Sequence, residues 1–127
     1  MLSWPLEDWL TEEGDRVVHL RADGAHLSTV DCLLFEIWLL DTESRNGGLS
    51  QYFFNRGVEA WQRCAALAIE APLPSFVPFK AELESIILGK ADPYLAINEL
   101  GAAAEDLWSQ HAEGVVGELQ AYLARVS

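Results

Sequence analysis

Apolar residues recur at helical spacing along most of this chain, and that periodicity leaves little room for a sheet. Val30, Leu33, Leu34, Ile37, Trp38 and Asp41 follow the i, i+3, i+4, i+7 rule, with five apolar members and one acid. Ser28 or Thr29 can cap this helix, and Asp31 lies in its first turn, where the helix dipole favours a carboxylate. The helix should stop between Arg45 and Gly48, because Asn and Gly tolerate the left-handed conformation that ends helices. A short helical segment then begins near Leu49 and runs through Phe54. Another covers about Val58 to Glu70, with Trp61, Cys64, Ala65 and Ala68 on one face. Pro72 and Pro74 form a break, and Pro78 fits the first turn of the next helix, where its missing N–H is not needed. That helix runs to about Leu88, with Phe79, Leu83, Ile86 and Ile87 as its apolar side, and Gly89 ends it.

After Pro93 the apolar positions are Leu100, Ala104, Leu107, Trp108 and His111, then Val115, Leu119, Tyr122, Leu123 and Val126. Gly114 and Gly117 each cost about 1 kcal/mol relative to Ala in a helix interior, so two helices joined near Ala112 to Gly114 are expected. Arg16 to Leu20 can form a short extended piece, although no partner strand is evident. There is no internal repeat, low-complexity tract or interdomain linker. The expected fold is all-α, a single compact helical domain of about six helices over residues 1–127.

A length of 127 residues suits one domain, since domains cluster at roughly 100–150 residues. Half the residues are hydrophobic and five are Trp, enough to build a core and to exclude wholesale disorder. Twenty Asp and Glu stand against eight Lys and Arg, a formal charge of −12. Such a balance excludes direct nucleic-acid binding, which needs cations to replace the counterions on phosphates, and disfavours anionic membrane surfaces. Cys32 and Cys64 sit in apolar stretches without Cys-x-x-Cys spacing and read as buried reduced thiols. Met1 to Asp8 lacks the basic and apolar regions of a signal peptide, and the longest uncharged run, Asn46 to Asn55, is too polar to span a bilayer. A cytoplasmic protein is expected.

Sites of chemistry are hard to find. His19, His26 and His111 have no companion at metal-ligand spacing, and His111 lies on an apolar stripe as a core-edge residue. No Gly-x-Ser-x-Gly elbow occurs, and Gly47-Gly48 lacks the further glycines and Lys of a phosphate loop. With twenty carboxylates, a pair at acid–base distance arises by chance. The reading is therefore no enzyme, no metal and no cofactor.

The most distinctive segment is Asn46-Gly47-Gly48-Leu49-Ser50-Gln51-Tyr52-Phe53-Phe54-Asn55, a helix stop, a sharp turn and a short aromatic helix. Gln51 and Asn55 are four apart, so their amides fall on one helical face and can bond each other or nearby backbone. They read either as a polar staple between two helices or as the lining of a small-molecule pocket. From Asp41 through Asn55 the chain resembles the signature of the DNA-mimic-protein-like domain family of small bacterial proteins. It keeps Asn46, Gly47, Gly48, Gln51, Phe53, Phe54 and Asn55, and has Leu49 where that pattern more often has Phe. The resemblance covers about Cys32 to Leu88. It implies a mostly helical fold, no established enzyme activity, and a protein that presents DNA-like charge to the DNA-binding face of a partner. The signature residues themselves are uncharged and read as scaffold.

Mimicry would have to reside in the carboxylates, and these are unevenly placed. Residues 1–15 carry −5, residues 16–90 carry −2 and residues 91–127 carry −5. The candidate partner surface is therefore Glu7, Asp8, Glu12, Glu13 and Asp15 with Glu99, Glu105, Asp106, Glu113 and Glu118. Helix neighbours three or four apart lie about 5–6 Å from each other, close to the step of about 7 Å between successive phosphates. If the chain ends lie together, the two acidic segments merge into one patch that steers a basic protein, such as a DNA-binding protein. The alternatives are a basic toxin held by an immunity-type protein, or a small-molecule binder or enzyme with a pocket around Gln51 and Asn55. A homodimer is compatible with all of these.

Overall fold

The structure is a computed structural model and describes residues 2–126. Its helices are α1 (Trp4–Ala22), α2 (Thr29–Gly47), α3 (Leu49–Glu70), α4 (Phe76–Ile87), α5 (Pro93–Leu100), α6 (Ala102–Glu105) and α7 (Leu107–Val126). No strand occurs among the described residues. The all-α expectation holds, and the count is close, since α6 is a single turn of four residues.

Local signals placed several boundaries well. The Ser28 hydroxyl accepts the Asp31 N–H at 3.1 Å and caps α2. Gly48, with φ of 85°, turns the chain from α2 into α3, a conformation that L side chains rarely adopt. Within α3 the helical geometry is interrupted at Gly57 (φ 85°, ψ 173°). That kink separates the short aromatic helix from the longer one, as the spacing predicts.

Two expectations are corrected. Arg16 to Leu20 is not extended but lies inside α1. Leu10, Gly14 and Val17 form the buried face of that helix, and the glycine hides the stripe from an apolar count. A Cβ on Gly14 would lie 2.3 Å from Trp38 Cδ1, so the missing side chain is what lets α1 sit against α2. The predicted break near Ala112–Gly114 is also absent. Helix α7 runs unbroken through Gly114 and Gly117, and the interruptions fall earlier, at Gly101 and Asp106. Ala112, Val115, Val116 and Leu119 are all buried on α7, and their packing outweighs the propensity cost of the two glycines.

One contiguous core joins every helix. Its centre is an aromatic chain in which the Trp61 ring lies 5.8 Å from both Phe76 and Phe79, and Phe79 lies 5.1 Å from Trp108. Such pairs contribute about 0.5–1.5 kcal/mol each beyond the area they bury. Helices α1 and α7 run side by side in the same direction. The Ser3 N–H reaches Glu113, Leu6 packs over Gly117, and Glu13 shares a cleft with Leu123. The N-terminal and C-terminal helices are therefore neighbours.

The two α7 glycines differ in what a side chain would meet. A Cβ on Gly114 would lie 2.6 Å from the Ser75 hydroxyl, whereas on Gly117 it would make an ordinary 3.8 Å contact with Leu6. Gly114→Ala should therefore destabilise the protein by about 1–3 kcal/mol through overpacking. Gly117→Ala should leave stability unchanged or raise it by about 0.4–1 kcal/mol. Urea unfolding of the two variants checks this, and equal effects would refute the close approach at Gly114.

Candidate interaction surface and its neighbouring clefts

The acids of α1 divide into two groups by what they touch. Glu7 accepts from Arg45 Nη1 at 2.6 Å, and Glu13 pairs with Arg16 at 3.2 Å, while Arg16 also reaches Asp31 on α2 at 2.9 Å. The Glu7–Arg45 and Arg16–Asp31 pairs tie α1 to α2. Asp8 and Glu12 are exposed, four residues apart on one face, and neither makes an ion pair with a described residue. Asp15 continues that face, with His19 3.6 Å away. The His19 ring also contacts the Asp15 carbonyl, and this hydrogen bond, then the Asp15 charge, pushes the imidazole pKa up.

The acids after residue 91 are placed differently. Glu105 accepts the Ser50 N–H at 2.7 Å on one oxygen and the Ser50 hydroxyl at 2.6 Å on the other, at the start of α3. Glu118 does the same for Ser75 at the start of α4, at 2.8 Å and 2.5 Å. Glu113 accepts the Ser3 N–H at 2.6 Å at the start of α1, and that bond holds its carboxyl below the usual carboxylate range. Helices α1, α3 and α4 have no side-chain cap of their own. The first N–H groups of a helix lack intrahelical acceptors and carry its positive dipole end, so a carboxylate there is favoured twice over. Glu99 and Asp106 stay exposed on the surface.

One acid lies in the core. Asp41, the polar member of the apolar α2 stripe, is 1% exposed and accepts from Trp108 Nε1 at 3.0 Å and Arg45 Nε at 2.8 Å. Burial pushes its carboxyl above the ordinary Asp range, against the opposing pull of Trp108 and Arg45. Through Arg45 the same network reaches Glu7, so it joins α1, α2 and α7.

The signature segment is mostly structural in its contacts. Phe53 is buried among the aromatics, while Phe54 is exposed and packs against Tyr94 of α5 with ring centroids 5.3 Å apart and the rings tilted by 55°. A Cβ on Gly48 would lie 2.8 Å from Glu105 Oε1, and one on Gly47 would lie 1.8 Å from Gln51 Oε1. The two glycines thus admit a capping carboxylate and a folded-back amide. Gln51 lines a cleft of about 220 Å³ with Phe54, Tyr94 and Asn98, but Asn55 lines a different one, beside Arg21, Glu36, Arg56 and Arg63. The shared amide-lined pocket that the spacing suggests is not formed: Gln51 folds back toward Gly47, so the two amides line separate clefts although they are four residues apart. No group of three or more His, Cys, Asp or Glu fit to hold a metal occurs among the described residues. Cys64 is buried, and burial pushes its thiol well above the ordinary range; Cys32 is half-buried at the edge of the Arg-lined cleft. That cleft gave one faint signal in the sequence, an acid at Glu36 within an otherwise apolar run.

Two measurements test these contacts. Glu105→Ala removes the acceptor of both Ser50 donors and should cost about 1–3 kcal/mol in urea unfolding, whereas Asp106→Ala, exposed next door, should stay within about 0.5 kcal/mol. For Asp41 the raised folded pKa means the folded state binds more protons than the unfolded one above the ordinary Asp value of 3.8. Stability relative to Asp41→Asn should therefore fall as pH rises from 3.8 through the higher folded value, and then level off. Parallel melting curves across acid pH would show no such divergence if the carboxyl were unperturbed.

Comparison with known proteins bears on the signature. No helix among the described residues is long and apolar enough to cross a membrane, and neither a curated protein nor a solved structure matches the chain significantly. A family model does match, over residues 25–73, and it is the one described as DMP19-like protein. The matched span starts in the loop before α2 and stops at Leu73, before α4, so it covers α2, the Asn-Gly-Gly turn and α3. It is shorter at its far end than the resemblance to Leu88 suggests. Through α2 and α3, this chain resembles the DMP19-like family of DNA-mimic proteins.

Proposed function

We propose that this protein is a non-enzymatic interaction protein that offers an acidic surface to a basic partner, a DNA-binding protein whose DNA site it occupies. The carrying observation is the exposed α1 face, where Asp8, Glu12 and Asp15 project at helical spacing with no Lys or Arg pairing them. Their steps of three and four residues, about 5–6 Å, approach the interval of a phosphate backbone. Glu7 and Glu13 flank the face but are tied to Arg45 and Arg16, so they add field and not a free contact. Glu113, on α7, lies beside the start of α1, where it accepts the Ser3 N–H and adds its charge to that end of the face. Glu105 and Glu118 are engaged at helix starts and are assigned no partner contact. Glu99 and Asp106 are exposed, on α5 and just after α6, and add to the negative field without a place on the α1 face. The family likeness supports the same reading, since the protein type it names is a DNA mimic.

The reading is tested by capture from native lysate on immobilised protein, at low and high salt, with duplex DNA as competitor. A protein displaced by DNA, captured at low salt and lost at high salt, is the expected result, because screening weakens charge-driven contacts. Asp8→Asn/Glu12→Gln/Asp15→Asn should cut its retention by about tenfold or more, about 1.4 kcal/mol, with an unchanged melting temperature. Retention that is indifferent to the triple variant and to DNA would overturn the proposal.

A further inference from the structure

In a chain of charge −12, three of the six arginines converge on one cleft of about 450 Å³ between the end of α1, the middle of α2 and the kink of α3. These are Arg21, Arg56 and Arg63, and their hydrogen-bonding state sets them apart. Arg16 and Arg45 each bond two carboxylates directly, at 2.6–3.5 Å. Arg63 stands 3.8 Å from Glu36 and Arg56 stands 3.8 Å from Glu43, within ion-pair range but beyond hydrogen-bond length. The Arg21 guanidinium sits over the Phe35 ring, 4.1 Å from its centroid, and makes no ion pair with a described carboxylate. The cleft therefore presents three forked donors whose hydrogen bonds are largely unused.

Glu36 gives the cleft its second property. The residue is 8% exposed, lines the same cleft, and one carboxylate oxygen, Oε1, is buried without a hydrogen-bond partner. A buried acceptor left unpaired costs about 1–3 kcal/mol, and a donor arriving with a ligand would recover it. Three guanidiniums against Glu36, with Glu43 beside Arg56 at the edge, leave the cleft a net positive charge. The complementary ligand is a compact, multiply charged oxyanion that also carries a hydrogen-bond donor. Sulfate has the charge and the shape but no proton. Hydrogen phosphate has all three, and so does a phosphate ester whose own amine or hydroxyl lies beside the phosphate.

The geometry points to a phosphate site in this cleft, in which Arg21, Arg56 and Arg63 hold the oxygens and Glu36 accepts the ligand's proton-bearing donor. It is independent of the acidic-surface reading, since it uses none of the α1 acids. It also runs against the overall charge, because a field of −12 repels anions, so any saturable binding has to come from the local arrangement.

Amide NMR titration of the whole protein at fixed ionic strength and mildly alkaline pH tests the site with two probes, phosphate and sulfate. Phosphate should saturate shifts around residues 32–36 and 55–63, with affinity about tenfold or more above that of sulfate, the worth of one hydrogen bond to a charged group. Arg56→Gln and Arg63→Gln should each weaken phosphate about tenfold, with dispersion of the spectrum confirming that the fold persists. Glu36→Gln, which can donate to an oxyanion, should bring the phosphate-to-sulfate ratio to about one. A third arm uses O-phosphoethanolamine. Tighter binding than phosphate supports an amine-bearing ester as the ligand, and weaker binding supports the free ion. Absence of saturation by either phosphate compound, or equal phosphate and sulfate affinities in the unmodified protein, would overturn the site. Saturation by a poly-glutamate peptide without phosphate binding would overturn it too, and assign the cleft to an acidic protein segment.

Discussion

A helix cannot end inside a protein without acceptors for its first N–H groups, and this fold meets that requirement across long distances in sequence. Helices α2 and α5 carry local caps, Ser28 and Asp92. Helices α1, α3 and α4 do not, and their starts are met by Glu113, Glu105 and Glu118 from the α6–α7 segment. Each bond pairs a carboxylate with a serine N–H, and two of the three add the serine hydroxyl. Because a charged acceptor strengthens a hydrogen bond, these contacts fix where three helices begin relative to α7. The positions of the α1 face and the Arg-lined cleft follow from that arrangement.

Negative charge in this chain thus serves two different ends. Part of it is internal, at helix starts and in the Asp41–Trp108–Arg45 network, where removing one partner would strand another. Part of it is surface, on the outer side of α1, where nothing in the fold needs it. A net charge cannot distinguish these, since both count equally toward −12. What separates them is whether an N–H or a guanidinium lies within bonding distance, and that is a property of tertiary packing.

The same distinction explains what could be read in advance. Helix α2 was legible because its signals are local: a serine cap, an apolar stripe with one acid, and an Asn-Gly-Gly stop. The kink at Gly57 was legible for the same reason, with Asn55-Arg56-Gly57 closing one apolar face before Trp61 opens the next. Gly114 misled, because a glycine that weakens an isolated helix can be the residue that admits Ser75 from elsewhere, and Gly14, which admits Trp38, left the buried face of α1 unread. Of the surface acids, Asp8 and Glu12 could be anticipated from i, i+4 spacing alone, whereas the capping roles of Glu105 and Glu118 could not, as their partners are 55 and 43 residues away. The arginine cleft was hidden for the same reason. Its residues come from three helices, and only Glu36, an acid among leucines and aromatics, stood out of pattern.

The capping carboxylates also bear on the order in which the molecule assembles. Ser3 and Glu113 are separated by 110 positions, so closing that bond demands nearly the full contour of the chain. Loop closure over such distances must precede the stabilisation it brings, which slows folding relative to a bundle held by neighbouring contacts. During synthesis α1, α3 and α4 emerge with open starts and wait for α7. The molecule is therefore one whose early helices are provisional until the segment from Glu105 to Glu118 leaves the ribosome, and its acidic α1 face acquires a fixed backbone only then.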